Sequence, residues 1–356
     1  MNNKIILLTG GGTAGHVTPH LSLLPILKAE GYSIEYIGSK NSIESEIMHR
    51  EGIHYKSIYC GKLRRYFSWE NFKDIFRVLF GTIQAFFYIK KLKPNIVFSK
   101  GGFVAVPVVV AAKLNKIPII CHESDITPGL ATQISSKFAQ AIATTFPECS
   151  TKLGAKCYYT GTPLRKELFK GDKETALKEY GLNGKKPILL VMGGSQGALA
   201  INECLHESLD ELLKDFDILH LCGEGKVNEN LLDKEAYIQI PYLHKTLPNV
   251  LQAADIIVSR AGSNSISEFH ALKKPMLLIP LPLSASRGDQ ILNAKSFEQR
   301  GIAKLLFQED MNKESFIAAI KNLYEDRQTL ISNMENDTAK DGTIEIIKLI
   351  DKYCKK

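Results

Sequence analysis

A chain of 356 residues has room for two domains, each large enough for its own core. Its composition, 44% hydrophobic and 23% charged, is that of a globular protein and excludes disordered and fibrous classes. The formal net charge of +7 is modest, so where the basic residues sit matters more than their excess.

In chain order, short apolar strands alternate with amphipathic helices, which predicts a parallel α/β sheet in each half. Strands are expected at Lys4–Leu8, Ser33–Ile37, Lys56–Tyr59, Asn95–Ser99, Pro118–His122, Ala141–Thr144 and Cys157–Thr160. Helices fall between them, notably His20–Glu30, Ser68–Leu92 and Val104–Asn115. The polar stretch Lys170–Lys186, with Gly171, Gly181 and Gly184, separates the halves. Strands follow at Pro187–Met192, Asp217–Cys222, Tyr237–Ile240, Ile256–Ser259, Met276–Pro280 and Ala303–Phe307. The helices between them are expected at Ala198–Leu213, Lys245–Ala253, Asn264–Leu272 and Gln290–Gln299. Beyond Met311 the chain reads as helical, ending in Ile344–Lys355.

The cysteines, at 60, 121, 149, 157, 204, 222 and 354, form no C-x-x-C pair and no zinc spacing. Such a scattered, odd set predicts reduced thiols and a cytoplasmic protein. Met1-Asn2-Asn3-Lys4 runs directly into the first strand without a basic leader or cleavage site, so no signal peptide is expected. No apolar run reaches the ~18–20 residues of a spanning helix, and membrane contact is expected to be peripheral.

One device occurs twice. Ile5-Ile6-Leu7-Leu8 runs into Gly11-Gly12-Thr13-Ala14-Gly15, and Ile188-Leu189-Leu190-Val191 into Gly193-Gly194-Ser195-Gln196-Gly197. Glycine lets the backbone turn and approach a ligand, and the helix each turn opens offers unpaired N–H groups to an anion. Two such turns point to a phosphate-bearing ligand between two similar halves. Neither is the Gly-x-Gly-x-x-Gly fingerprint or a Walker loop, which argues against a nicotinamide dehydrogenase.

The first turn ends in His16, which reads as a general base near pH 7 or, more plainly, as a helix cap. In the second half, Ser259–Glu268 follows a strand and enters a helix; Ser263, Asn264 and Ser265 suit an anion. Glu268, one turn in, suits ribose hydroxyls, although a carboxylate near a helix N-terminus is favourable without any ligand. Arg165 sits where the halves join and can neutralise a pyrophosphate or pair with a surface acid. Asp289 and Gln290 open a helix and can hydrogen-bond a sugar. His122-Glu123-Ser124-Asp125 ends a strand at a carboxyl edge; without a third ligand at metal spacing, no metal site is expected.

The segment Lys62–Lys93 stands apart. Phe67, Trp69, Phe72, Ile75, Phe76, Leu79, Phe80, Phe86 and Phe87 are interleaved with Lys62, Arg64, Arg65, Lys73, Arg77, Lys90, Lys91 and Lys93. This aromatic, basic pattern fits an anionic membrane surface, with a long core helix as the plainer reading. No DNA or RNA module is visible, and nucleic acid is not an expected partner.

Gly11-Gly12-Thr13-Ala14-Gly15-His16-Val17-x-Pro19, Gly101-Gly102-Phe103-Val104, His122-Glu123, Gly193-Gly194-Ser195-Gln196-Gly197-Ala198, Ser267-Glu268 and Asp289-Gln290-x-x-Asn293-Ala294 occur in one order along the chain. With this ordered set the chain resembles the MurG family of N-acetylglucosaminyltransferases over essentially its whole length. The resemblance implies a GT-B fold, two Rossmann-like domains with parallel sheets facing a central cleft. The domains would be residues 1–163, for the acceptor and the membrane, and 164–356, for UDP-GlcNAc, with the last helix able to pack back on the first. It implies inverting transfer of GlcNAc from UDP-GlcNAc to the 4-hydroxyl of the muramyl sugar of lipid I, giving lipid II, at the cytoplasmic face of the membrane and without a cofactor.

Carried over by motif, Ser195 and the Ser263–Ser265 loop would contact the diphosphate, Arg165 would help there, and Glu268 would hold the ribose. Backbone near Leu243 would meet the uracil, Asp289 and Gln290 the GlcNAc, and Thr13, Ala14 and Gly15 would close over the donor. Phe67, Trp69, Phe72, Lys73, Ile75, Phe76, Arg77 and Leu79 would touch the membrane. His16 would be the base, and Asp125, which stands where many members carry Asn, would bind a sugar hydroxyl or compete with His16 as base. A related enzyme using another lipid acceptor, such as diacylglycerol, or a non-catalytic nucleotide-sugar-binding subunit, are the alternatives.

Overall fold

In a computed structural model, residues 4–61, 69–194, 197–243, 245–337 and 341–355 are described. Phe67 and Ser195 lie outside them, as do the side chains of Ala14, Trp69, Phe72 and Lys73. The chain divides into two units, the first closing at Leu164 and the second opening at Arg165, with the C-terminal segment returning to the first.

The first unit alternates strand and helix throughout: β1 (Lys4–Thr9), α1 (Thr18–Ala29), β2 (Tyr32–Ser39), α2 (Ile43–Arg50), β3 (His54–Ile58), α3 (Trp69–Leu92) and β4 (Ile96–Ser99). It continues with α4 (Ala105–Leu114), β5 (Ile119–Glu123), α5 (Leu130–Ser136), β6 (Ala141–Thr144), α6 (Pro147–Leu153) and β7 (Cys157–Tyr159). The strands form one parallel sheet in the order β3-β2-β1-β4-β5-β6-β7. Period-two alternation sends Ile6, Leu8, Ile96 and Phe98 into the core on one face, and Leu7 and Val97 into the core on the other. Both faces are therefore covered, as a parallel sheet requires.

The second unit opens with α7 (Lys173–Tyr180), inside the stretch expected to be a polar separator. Asp172 caps it by accepting from Thr175 N–H at 2.7 Å, Gly181 ends it at φ 66°, and buried Ala176 and Leu177 hold it down. Three polar residues for each buried one had hidden that short apolar stripe. Then follow β8 (Ile188–Met192), α8 (Leu199–Asp215), β9 (Asp217–Leu221), β10 (Tyr237–Ile240), α9 (Leu247–Ala253), β11 (Ile256–Ser259) and α10 (Ser263–Ala271). The unit ends with β12 (Met276–Leu278), α11 (Asp289–Gln299), β13 (Lys304–Leu305), α12 (Lys313–Glu325) and α13 (Arg327–Asn336). Its sheet is parallel, in the order β10-β9-β8-β11-β12-β13.

The last helix, α14 (Gly342–Tyr353), buries Ile346, Ile347, Leu349 and Ile350 in the core of the first unit. Polar ties fix it there: Tyr32 donates to Asp351 at 2.7 Å and Gly342 N–H to the Thr162 carbonyl at 2.8 Å.

Both sheets reverse direction of strand addition once, at β1/β4 in the first and at β8/β11 in the second. Ligands of open parallel sheets bind in the crevice at the carboxyl ends of the strands flanking that point. Both glycine turns, the Lys100–Gly102 segment and the loop before α10 all follow one of those four strands.

Candidate active site

In the first unit the turn after β1 leads through a short 3₁₀ turn, Ala14–His16, into α1. Gly12 sits at φ 87° and Gly102 at φ 77°, conformations that side chains rarely adopt. A Cβ on Gly102 would lie 2.2 Å from the Gly11 carbonyl oxygen, so the turns after β1 and β4 pack backbone against backbone. Half-buried His16 lies 2.9 Å through Nδ1 from the Thr13 hydroxyl, and its N–H donates to the Thr13 carbonyl at 3.1 Å. The ring is thus fixed by its own turn, with Thr13 and Gly15 exposed beside it.

Behind this turn lies a set of buried ionisable groups that the sequence reading had not singled out. Glu44, in the first turn of α2, accepts from Ser39 N–H at 3.2 Å, from the Ser39 hydroxyl, and from Gly12 N–H at 3.4 Å. One carboxylate therefore bolts the end of β2 to the glycine turn. From sequence it looked like an ordinary acid favouring a helix start. Lys100, fully buried after β4, donates to the Ser124 hydroxyl. Burial pulls its pKa down to about 8, against the opposing pull of Glu123 and Asp125. His20, on α1, sits at about 3 because of burial and the nearby Lys100 and His16 charges, so it is neutral at working pH.

The His122–Asp125 segment organises the neighbouring edge. His122 lies 3.2 Å through Nε2 from the Gly161 carbonyl and therefore donates to it, and burial holds its pKa well below the ordinary value. Glu123 accepts from Ser124, Asp125 and Gly129 N–H at 2.9, 3.1 and 3.1 Å, a loop-holding carboxylate. Burial, and then Asp125, raise its pKa. Half-buried Asp125 projects from the loop so held. Among the described residues no group of three or more His, Cys, Asp or Glu side chains is arranged to hold a metal ion.

In the second unit, Ser259 ends β11 and Ser263 opens α10, one residue earlier than the expected helix start. Ser263 is buried, with Asn264 and Ser265 half-buried. Arg260 points backward: it donates to the Ile279 and Pro280 carbonyls at 3.1 and 3.2 Å and to Gln308 at 2.6 Å. It is a staple between strand ends.

Arg165 forks onto Glu268, Nε to Oε1 at 2.8 Å and Nη2 to Oε2 at 2.9 Å. The two candidates are one bidentate pair, with two of the five guanidinium donors engaged by the carboxylate. Asp289 pairs with Arg287 at 2.5 Å, and the Gln290 side-chain oxygen accepts from Leu281 N–H at 3.1 Å. Buried Asn293 donates to the Ala261 carbonyl at 3.2 Å, joining α11 to the loop before α10. Leu243 is half-buried in the loop after β10.

Helix α3 shows a third feature. Asp74, Ala85 and Ile89 face the core, while Ile75, Phe76, Leu79, Phe80, Ile83 and Phe87 are exposed. All of these exposed residues except Ile83 belong to the aromatic and aliphatic set expected from the sequence. Arg77 is tied to Asp74 at 2.9 Å, and Lys90 lies over the Phe86 ring. No helix among the described residues is long and apolar enough to cross a membrane.

Comparison with known proteins fits this arrangement. Residues 6–144 match the glycosyltransferase family 28 N-terminal domain, and residues 188–350 the family 28 C-terminal domain. Among solved structures, Acinetobacter baumannii MurG superposes with a TM-score of 0.79 at 26% identity, over 98% of this chain and 99% of that one. A glycosyltransferase of kitacinnamycin shares the fold, with a TM-score of 0.75 at 16% identity over 99% and 100% of the two chains. These matches define the class, a two-domain α/β glycosyltransferase of GT-B type.

Among curated relatives, a Clostridium tetani protein is 52% identical over 351 residues, 98% of both chains, and a Clostridium kluyveri one is 49% identical over 98% and 99%. Both are named UDP-N-acetylglucosamine--N-acetylmuramyl-(pentapeptide) pyrophosphoryl-undecaprenol N-acetylglucosamine transferase. The chain belongs to the MurG family.

Proposed function

We propose that the protein transfers N-acetylglucosamine from UDP-GlcNAc to the 4-hydroxyl of the muramyl sugar of lipid I, forming lipid II with inversion at the anomeric carbon. The observation that carries this reading is full-length identity of about half to relatives bearing that name. The second unit is the donor half: N–H groups at the starts of α8 and α10, with Ser195 and Ser263–Ser265, take the diphosphate. Glu268, held by Arg165, takes the ribose, while the backbone near Leu243 takes the uracil and Asp289 and Gln290 take the GlcNAc. The first unit is the acceptor half, and Thr13, Ala14 and Gly15 close over the donor.

The 4-hydroxyl is a weak nucleophile until a base removes its proton. His16 is that base, with Asp125 the other candidate. As the glycosidic bond to the β-phosphate breaks, charge grows on the leaving UDP, and preoriented N–H dipoles with Arg165 stabilise it. The exposed apolar strip of α3, with Arg77 and the basic residues flanking it, rests on the anionic cytoplasmic leaflet as a peripheral contact.

Labelled UDP-GlcNAc incubated with the purified chain and either a lipid I analogue or diacylglycerol, with and without EDTA, tests the reading. Label should enter only the lipid I analogue. Transfer to diacylglycerol would indicate the other lipid acceptor, and no UDP release with either would indicate a binding subunit. For the membrane contact, the Phe76→Ser/Phe80→Ser double variant should float with anionic vesicles roughly tenfold less than wild type at unchanged turnover on a short-chain acceptor. Equal flotation would remove α3 from the membrane surface.

A further inference from the structure

Behind the glycine turn of the second unit runs a buried chain of side chains that the proposed reaction does not use. Asn202, in the first turn of α8, donates through Nδ2 to the Cys222 carbonyl at 2.9 Å. A carbonyl only accepts, so this contact fixes which end of the Asn202 amide is nitrogen. The Asn202 Oδ1 must then accept, and its partner at 3.0 Å is His220 Nε2, which carries the proton. His220 is buried on β9, and burial drops its pKa to about 3, so it is neutral and its Nδ1 is an acceptor. Tyr237 O–H, at 2.7 Å, fills that place. With its proton given to His220, the Tyr237 oxygen accepts from His206 Nε2 at 3.1 Å. Every proton in the chain is thereby assigned, and all donate in one direction, from His206 on the half-buried face of α8 to Cys222 at the end of β9.

The Cys222 carbonyl is also what Gly197, the last glycine of the turn, packs on. A Cβ on Gly197, at φ 69°, would lie 2.0 Å from that oxygen. Gly197 N–H in turn donates to the Gly194 carbonyl at 3.0 Å. The end of the relay and the end of the turn therefore meet at one carbonyl group. Anion binding by backbone N–H groups depends on their aim, and small displacements of such dipoles weaken it.

We propose that Asn202, His220, Tyr237 and His206 form a one-way hydrogen-bond relay that sets the position of the glycine turn after β8, making them positioning residues for a nucleoside diphosphate bound there. The proposal deepens the donor-half reading and rests on it. The relay is neutral from end to end. It orders the turn without placing a second charge behind the phosphates.

Calorimetric affinities of the full chain for UDP and for uridine test it, because only UDP uses the turn. Asn202→Asp keeps the shape but faces the Cys222 carbonyl with an acceptor; it should cut the UDP-to-uridine affinity ratio roughly tenfold. Tyr237→Phe keeps the packing and removes one link, and should cut the ratio about three- to fivefold even if the Asn202 variant fails to fold. Gly197→Ala displaces the turn directly and should cut the ratio at least as much as Asn202→Asp. An unchanged ratio in both relay variants, with a fall in Gly197→Ala, overturns the relay and leaves the donor reading standing. An unchanged ratio in all three overturns both. Nitrogen shifts of His220 give an independent check: a proton on Nδ1 rather than Nε2 reverses the chain and overturns the proposal.

Discussion

The two glycine turns share a backbone solution and differ in what stands behind them. Behind the first are Glu44 on Gly12 and the buried amine of Lys100 near Glu123, with His20 and His122 held neutral by burial. Behind the second are neutral groups whose hydrogen bonds run one way, ending on the carbonyl beneath Gly197. A turn that holds a diphosphate, whose negative charge only grows as UDP leaves, needs fixed dipoles and is weakened by an uncompensated carboxylate nearby. A turn beside a base that gains a proton in each turnover works in a field that buried charges can set. The difference in backing matches the two duties proposed for the turns, binding in the second unit and proton transfer in the first.

The largest test of that division is His16→Ala. As the base, its loss should lower kcat by roughly 10²–10⁴-fold while UDP affinity stays within about twofold. Near-normal turnover at saturating substrates would pass the role to Asp125. Turnover of Asp125→Asn within a few-fold of wild type would then be inconsistent with that second assignment.

Lys100→Met probes the charged backing through stability. The folded pKa of Lys100, about 8, lies below its ordinary 10.5 because of burial. Between those values the unfolded chain holds a proton that the folded chain has released, so stability rises with pH across the window. Below pH 8 the full cost of the buried charge is present. The rise amounts to about 3 kcal/mol, from a shift of some two and a half units. Lys274, in the second unit, is pulled to about 8 by burial as well, and it donates to the Gln252 and Ala254 carbonyls. Denaturant titrations of wild type and Lys100→Met from pH 7 to 11 should therefore differ by the Lys100 contribution, with that of Lys274 kept in both. Identical slopes would mean that Lys100 is not a buried cation.

Glu268→Gln addresses the binding side. If the carboxylate reads the ribose, wild type should prefer UDP over its 2′,3′-dideoxy analogue by roughly 10–100-fold, and the variant should lose most of that preference. A preference kept by the variant would reduce the Arg165–Glu268 fork to a structural ion pair.

The strand and helix alternation was legible because each β-α unit carries its own period and turn. Apolar residues filled β1, β4, β8 and β11, and the glycines marked the turns that follow. The edge strands were less so: β3 runs His54–Ile58, two residues earlier than expected, because its side chains are mostly solvent-facing and give little apolar contrast. The backing of each turn was not legible at all. Glu44 and Gly12, or Asn202, His220 and Tyr237, are brought together by strand register and helix docking, such as the pairing of Val191 with His220. No local spacing encodes that meeting. His16 and Glu268 stand out as candidates because they sit beside glycine-rich loops that announce themselves; Lys100 sits beside one too, but a lysine after a strand ordinarily reads as solvated.

The smallest effect expected separates the turns by their surroundings alone. Gly12 and Gly194 have nearly the same left-handed backbone, φ 87° and φ 94°. Alanine should therefore cost each about 1–2 kcal/mol of backbone strain. A Cβ on Gly194 meets nothing within 4 Å, whereas one on Gly12 would lie 2.5 Å from the Phe103 ring. The ring edge must shift, so Gly12→Ala should cost about 1 kcal/mol more than Gly194→Ala. In the Phe103→Ala background the obstructing ring is gone, and the cost of Gly12→Ala should fall to that of Gly194→Ala. Equal costs in the wild-type background would mean that Phe103 yields freely, and that the first turn is less tightly enclosed than its neighbours imply. A gap that persists without Phe103 would place the constraint in the Glu44 bond to Gly12 N–H instead, making the buried carboxylate rather than the aromatic ring the part that sets this turn apart.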